Sequence, residues 1–152
     1  MLKYVDVKVV FAEIPDAITL AINISNCPCH CVGCHSSYLA KDIGKPLNTK
    51  SLEVIINKNP GCDCVAFMGG DAIPAGVLEL AKFVRWKYPY LKVAWYSGRQ
   101  ELSHHIDLEY FDYIKLGPYI PEKGGLNSYS TNQRFYKIEN GSMVDKTSLF
   151  WQ

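Results

Sequence analysis

The sequence lacks three features that would assign the protein to a membrane, to a secretory pathway or to a nucleic acid. No apolar run approaches the roughly 20 residues that a membrane-spanning helix needs. Lys3, Asp6 and Lys8 stand where a signal peptide has its apolar segment. With 16 Lys and Arg against 15 Asp and Glu, the chain offers no basic excess for nucleic-acid binding. These absences predict a cytoplasmic protein that binds neither membrane nor nucleic acid.

Internal repeats, low-complexity tracts and interdomain linkers are also missing. The length of 152 residues and the hydrophobic content of 48% suit one globular domain with a core of ordinary size. We therefore expect a single domain over residues 1–152. In a reducing compartment its thiols would stay available for metal binding.

The cysteines are present in number and are unevenly placed. Four of the six lie within residues 27–34, directly after an apolar run. Cys27-x3-Cys31-x2-Cys34 offers three thiolates from one loop, which suits a cubane iron–sulfur cluster with one iron left without a protein ligand. Such an iron is an open coordination position, as in a catalytic zinc site that is one ligand short. The spacing favours a reactive centre.

Two other interpretations of the cysteines stay open. A structural zinc site could take Cys29 or His30 as its fourth ligand. Structural zinc sites usually combine two pairs of closely spaced cysteines, and the other pair in this chain, Cys62-Asp63-Cys64, has only one residue between its cysteines, which is tight for zinc. An even number of cysteines also permits a disulfide framework, which a chain of this length does not need. Outside a metal site, Cys62 and Cys64 are expected to be buried as small apolar residues.

Apolar runs and turn signals predict alternating strands and helices. A parallel sheet is expected from four strands, with helices between the early ones and an Asn140-Gly141 hairpin at the C-terminal end. The predicted strands are residues 17–24, 65–68, 91–96 and 113–116. The predicted helices are residues 49–57, capped by Asn48 or Thr49, and residues 74–87, with Pro74 in the first turn. The hairpin strands are residues 135–138 and 143–147.

The predicted strands end at segments that are rich in glycine and polar residues. Because ligands of parallel α/β sheets bind beyond the carboxyl ends of the strands, we expect these segments to share one rim with the cysteine loop. They are Gly69-Gly70-Asp71, Ser97-Gly98-Arg99 and Gly117-Pro118-Tyr119. The two glycines of the first segment let the backbone approach a ligand, whose ammonium Asp71 could bind. Alternatively, Asp71 only caps the following helix.

The cysteine spacing, followed by Gly-Gly-Asp after the next strand, resembles the radical S-adenosylmethionine (SAM) superfamily. Further segments resemble its branch of activating proteins for the anaerobic ribonucleoside-triphosphate reductase, over about residues 17–151. Those segments are residues 67–71, 96–99, 112–119 and 131–134, with Gly33 and His35 around the third cysteine. Asp71 departs from the usual Glu, Ala72 from the usual Pro, and Gly33 from the usual aromatic residue.

The resemblance implies an open, partial parallel β/α barrel with a C-terminal β-hairpin, a 4Fe-4S cluster and SAM. Cys27, Cys31 and Cys34 would bind the cluster, and Cys29 would not. The implied SAM-binding residues are Gly33, His35, Gly69, Gly70, Asp71, Ser97 and Gly98.

The implied activity is reductive cleavage of SAM and formation of a glycyl radical on the large subunit of the anaerobic ribonucleotide reductase. Flavodoxin or ferredoxin would supply the electron, and no side chain would act as acid, base or nucleophile. Lys115, Tyr119 and Arg134 would face the partner, whereas His104 and His105 are expected in a solvated loop. Two alternatives remain: an activase of another glycyl-radical enzyme of the formate-lyase type, and a non-enzymatic zinc-binding interaction module.

Overall fold

A computed structural model describes residues 1–29 and 41–151. This part of the chain contains eight strands, two α-helices and two short 3-10 helices. The strands are β1 Lys3–Val10, β2 Thr19–Ile24, β3 Lys45–Pro46, β4 Cys64–Met68, β5 Lys92–Tyr96, β6 Tyr113–Leu116, β7 Arg134–Glu139 and β8 Ser142–Asp145. The α-helices are α1 Thr49–Asn57 and α2 Pro74–Lys87, and the 3-10 helices are Leu108–Tyr110 and Thr147–Phe150.

All the described strands belong to one mixed sheet, in the order β3-β1-β2-β4-β5-β6-β7-β8. The four strands predicted from the sequence are its centre, and β2, β4, β5 and β6 pair in parallel. The outer strands pair antiparallel. The predicted parallel pairing is confirmed for these strands, whereas closure of the sheet towards a partial barrel stays a prediction.

The helices form where local signals place them. The Asn48 side chain accepts from the backbone N–H of Ser51, and the Ser51 hydroxyl accepts from the backbone N–H of Asn48, so α1 begins in a reciprocal capping box. The second helix begins at Pro74, whose missing N–H costs nothing in a first turn. Both predicted helices are confirmed with their boundaries.

The two faces of the sheet differ in side-chain size, which decides where the helices lie. Val65 and Phe67 of β4 point to one face and pack in a large core with the buried sides of both helices. Ala66, between them, faces the opposite side, as period-2 alternation requires. A smaller core on that side is covered by Ile14 and Phe135. Both helices therefore contribute to the same core.

The C-terminal hairpin was predicted from the sequence, whereas the first strand was not. The hairpin between β7 and β8 is confirmed, and positive φ angles at Asn140 and Gly141, 52° and 77°, match the two-residue turn that favours Asn-Gly. The sequence analysis assigned no element to β1, although its valine-rich sequence is typical of a strand.

Within the described ranges, neither α-helix is long and apolar enough to cross a membrane.

Candidate functional site

An open pocket of about 200 Å³ lies at the carboxyl ends of the four central strands. Each strand end contributes to its wall, and the loops that follow the strands complete it. The lining residues are Asn23, Ile24, Cys27, Cys29, Met68, Gly69, Asp71, Tyr96, Gly98, Lys115, Gly117, Tyr119 and Gln133. The predicted convergence of the four strand-end segments on one rim is therefore observed in the described residues.

The predicted cluster ligand Cys27 lies at this pocket. It follows β2 by three residues, is half-buried and forms no disulfide. Cys27 therefore borders the space in which a bound group would lie. Cys31, Cys34, Gly33 and His35 lie outside the described residues.

Asp71 is a buried charged residue of the pocket that is held by two hydrogen bonds. Its side chain is buried, with only 3% exposure. Oδ1 accepts from the Ser97 hydroxyl at 2.5 Å and Oδ2 accepts from the Gly98 backbone N–H at 2.9 Å. Helix α2 instead has Ile73 at its N-cap position, with no side-chain hydrogen bond. The alternative that Asp71 caps this helix is therefore wrong.

The segment before Asp71 depends on glycine for its backbone conformation. Gly69 and Gly70 have φ angles of +110° and +91°, a region that residues with a Cβ rarely adopt. A Cβ on Gly70 would also lie 2.5 Å from Cγ2 of Val77 in α2. The carbonyl oxygen of Gly69 accepts from Nε1 of Trp95 at 2.7 Å. Gly70 thus brings the chain against α2, and Gly69 lines the pocket.

Cys29 packs into the space that the missing side chain of Gly98 leaves. A Cβ on Gly98 would lie 2.8 Å from the Cys29 sulfur. The same sulfur is 3.8 Å from Oδ2 of Asp71, within the range of a weak S–H hydrogen bond. Cys29 therefore contacts the Asp71 segment, which the spacing of the cysteines did not predict.

Lys115, predicted to face a partner, points into the same rim. Its Nζ donates to the carbonyl oxygens of Ser97 at 3.1 Å and Gly117 at 2.9 Å, and it lies 5.8 Å from the centre of the Tyr96 ring. Tyr119 also lines the pocket. The third candidate of that surface, Arg134, instead forms an ion pair with Asp145 of β8 at 3.7 Å.

Gln133 is a pocket residue that the sequence analysis did not single out. It lies directly before β7, is 8% exposed, and its Nε2 donates to the carbonyl oxygen of Gly117 at 3.4 Å. Its neighbour Asn132 donates to the carbonyl oxygen of Pro118 at 3.1 Å. In the sequence, residues 131–134 are informative only through their resemblance to the activating proteins. They reach the pocket because β7 pairs with β6, which the sequence alone does not predict.

Cys62 and Cys64 are buried, as expected for small apolar residues. Cys64 begins β4 and Met68 ends it, so the pair lies roughly 13 Å from the pocket at the rise of an extended strand. Burial raises the pKa of the Cys64 thiol to about 12. A zinc site that joins this clip to Cys27 is excluded by the distance.

The other possible metal ligands in the described residues do not form a second metal site. Over residues 1–29 and 41–151, no group of three or more Cys, His, Asp or Glu side chains is arranged to hold a metal ion. The ring centroids of His104 and His105 lie 4.0 Å apart with the rings tilted by 37°, and both residues are exposed, as expected for a solvated loop.

In a comparison with protein families, residues 17–123 match a family described as a 4Fe-4S single cluster domain. This segment is more than half of the chain and holds all six cysteines and every pocket residue except Gln133. No curated protein and no solved structure matched. A 4Fe-4S cluster-binding domain is therefore present in residues 17–123.

Proposed function

We propose that this chain, which belongs to the 4Fe-4S single cluster domain family, is a radical SAM activase for the anaerobic ribonucleoside-triphosphate reductase. The observation that carries the proposal is the shared pocket. Cys27, the first cysteine of the three-thiolate motif, lines the same cavity as Asp71 and the glycines that follow β4 and β5. A cluster held by that motif would stand beside a buried carboxylate and close to exposed backbone.

The donor set fits a cluster with one open iron. Cys27, Cys31 and Cys34 would hold it, with Cys27 at the pocket and the other two outside the described residues. Cys29 is the less suitable ligand, because its sulfur already packs against Gly98 and Asp71. Three thiolates leave the open coordination position that radical SAM chemistry requires.

The opposite wall fits the amino-acid end of SAM. Asp71 would bind the ammonium group, since Oδ1 has a second lone pair beyond the bond from the Ser97 hydroxyl. Gly69 would keep the wall free of a side chain at the end of β4, and Gly33 and His35 would complete it. Held by Cys27, Cys31 and Cys34 beside SAM, a reduced cluster would supply the one-electron cleavage of the C5′–S bond that hydrogen-atom abstraction from a glycine Cα requires.

The chain's own groups bind and orient in this proposal, and none of them transfers a proton. Asp71 is fixed by two donors before any ligand arrives, so the carboxylate does not have to reorganise on binding. Lys115 holds the carbonyl oxygens of Ser97 and Gly117, which ties the third and fourth strand ends together. These hydrogen bonds would therefore hold the strand-end walls of the pocket in place before the cofactors bind.

The open pocket supports a protein substrate. In the described part of the chain, β3 and β8 are sheet edges that do not pair with each other, so strand pairing does not enclose the cavity. A glycine-bearing loop of a partner could reach such a site, in line with a partly open β/α barrel. The match to a 4Fe-4S single cluster domain favours a cluster over the zinc-binding module in the cysteine loop.

The proposal is tested with protein reconstituted anaerobically with iron and sulfide. We expect broad visible absorption, formation of 5′-deoxyadenosine on reduction with SAM, and a glycyl-radical electron paramagnetic resonance signal only when the large reductase subunit is added. A signal on a formate-lyase type enzyme instead would favour that activase. A colourless protein with bound zinc, or an intact cluster that cleaves no SAM with flavodoxin, ferredoxin or dithionite, would refute the proposal.

A further inference from the structure

Strand β1 lies near one edge of the sheet and is only partly covered on its outer side. The strand order places β3 outside β1, but β3 has two residues and pairs only with Lys3 and Tyr4. Among residues 1–29 and 41–151, no strand pairs with the outer side of β1 beyond Tyr4. A bulge between Tyr4 and Asp6 separates the covered part of β1 from the rest. Residues 6–10 therefore form a sheet edge, the part of a sheet that pairs with a further strand when one is offered.

The side chains at this edge are accessible. Lys8 is exposed, Val9 is 43% exposed, and Phe11, directly after the strand, is 71% exposed. Exposed apolar side chains beside an open strand edge are typical of a surface that associates with another chain.

The charges of β1 make the strand complementary to itself. Asp6 and Lys8 flank Val7, which packs against the large core. By period-2 alternation, the two charged residues share the opposite face of the sheet. The Asp6 carboxylate accepts from Nδ2 of Asn23 in β2, which holds it on that face. When two copies of β1 run antiparallel with Val7 opposite Val7, each Asp6 lies directly opposite a Lys8, and opposite charges at such positions stabilise a strand pair.

The charges favour this register over the next one along the strand. With Lys8 opposite Lys8, two ammonium groups would lie side by side, which destabilises a strand pair. With Val7 at the centre, Val5 lies opposite Val9, and the pairing ends where β3 already covers Tyr4. The open length of the edge and its charges therefore agree on one arrangement.

We propose that β1 pairs antiparallel with β1 of a second copy of this chain, about a two-fold axis at Val7. The inference does not depend on the proposed function. The pairing covers Val9 and joins the two sheets edge to edge, as an isologous interface in which both copies use the same surface. Because the two-fold axis is perpendicular to the strands, the carboxyl ends of the parallel strands point in opposite directions in the two copies. The two pockets are then open at opposite ends of the joined sheet, and each stays accessible.

The test is the oligomeric state of the reconstituted full chain. Sedimentation equilibrium is measured anaerobically, with a thiol reductant that prevents disulfides between copies, and we expect a concentration-dependent dimer. Lys8→Asp places two like-charge pairs in the dimer and should weaken dimerisation by about tenfold, and so should Asp6→Lys. Lys137→Asp is the matched control, because Lys137 is an exposed lysine of β7, a strand that is paired on both sides. This control should dimerise like the native protein.

A mixture of the two variants tests the register. Lys8→Asp has carboxylates at positions 6 and 8, and Asp6→Lys has ammonium groups at both, so every facing pair in the mixed dimer is of opposite charge. We expect the mixture to associate like the native protein, although each variant alone does not. This recovery would also show that both variants are folded.

Three results would overturn the inference: a native protein that stays monomeric at its highest soluble concentration, single variants that dimerise like the native protein, or a mixture that fails to associate. SAM cleavage is measured separately and tests only the proposed function.

Discussion

Asp71 and Ser97 are joined by a hydrogen bond of 2.5 Å between Oδ1 and Oγ, although they are 26 positions apart in the sequence. Both side chains are buried, with exposures of 3% and 1%. They follow neighbouring parallel strands, β4 and β5, whose pairing places their carboxyl ends side by side. Ser97 was expected to contact a ligand directly, whereas the structure shows it holding the carboxylate of Asp71.

Asp71→Ala should weaken SAM binding and leave the cluster in place. A charge-assisted hydrogen bond contributes roughly 1.5–3 kcal/mol, so affinity should fall about 10- to 150-fold. Ser97→Ala should weaken binding less, because it removes only a bond that orients Asp71. The double variant should be no weaker than Asp71→Ala. Calorimetric titration with SAM, together with iron content, measures both effects.

Ser103→Ala is the control for this series, since the Ser103 hydroxyl accepts only from the backbone of His105 in an exposed loop. It should bind SAM like the native protein. Native-like affinity in Asp71→Ala would show that the carboxylate only supports the fold of the loop.

Cys27→Ala, Cys31→Ala and Cys34→Ala should each abolish the stable 4Fe-4S cluster, whereas Cys29→Ala should retain it. Removing one of three thiolates leaves a second iron without a protein ligand, while the Cys29 sulfur packs against Gly98. Iron and sulfide per chain are measured after anaerobic reconstitution. Full cluster content in Cys31→Ala, or loss of the cluster in Cys29→Ala, would contradict the ligand assignment.

Gly70→Ala should destabilise the fold by about 2–4 kcal/mol, from the positive φ and the overpacking against α2. The new Cβ would meet Cγ2 of Val77 at 2.5 Å. Gly61→Ala is the matched control, because nothing lies within 4 Å of its Cβ position and its φ is not in the left-handed region. Urea unfolding compares the two variants. Equal stabilities would mean that the turn after β4 relaxes without cost.

Cys64 should make the protein less stable in alkali. Its thiol pKa is raised by burial to about 12 from an ordinary value of 9.0, so the fold favours the neutral thiol. The stabilisation is complete below about pH 9 and is lost as the pH rises towards 12. Urea unfolding from pH 7 to 10.5 should give a shallower decline for Cys64→Ala than for the native protein. Parallel declines would show that the thiol does not contribute.

Local patterns in the sequence were enough to predict the helices, the central strands and the candidate cluster ligands. Apolar runs placed the four central strands, Asn48 and Pro74 placed the starts of both helices, and Asn140-Gly141 placed the hairpin. These signals are readable because capping, turn formation and strand burial depend on residues a few positions apart. The rule that ligands bind at strand carboxyl ends then gave the rim, and the structure gathers its segments around one pocket.

Only the tertiary structure decided what each rim residue contacts. Strand pairing brings Ser97 to Asp71 and Lys115 to Ser97, over 26 and 18 positions, and the β6–β7 pairing carries Gln133 to Gly117 over 16. Sequence periodicity contains no information on such contacts, because they depend on strand order and register. The cysteine spacing therefore indicated an iron–sulfur cluster, whereas the pairing of the strands determined which side chains form and hold the walls of the pocket.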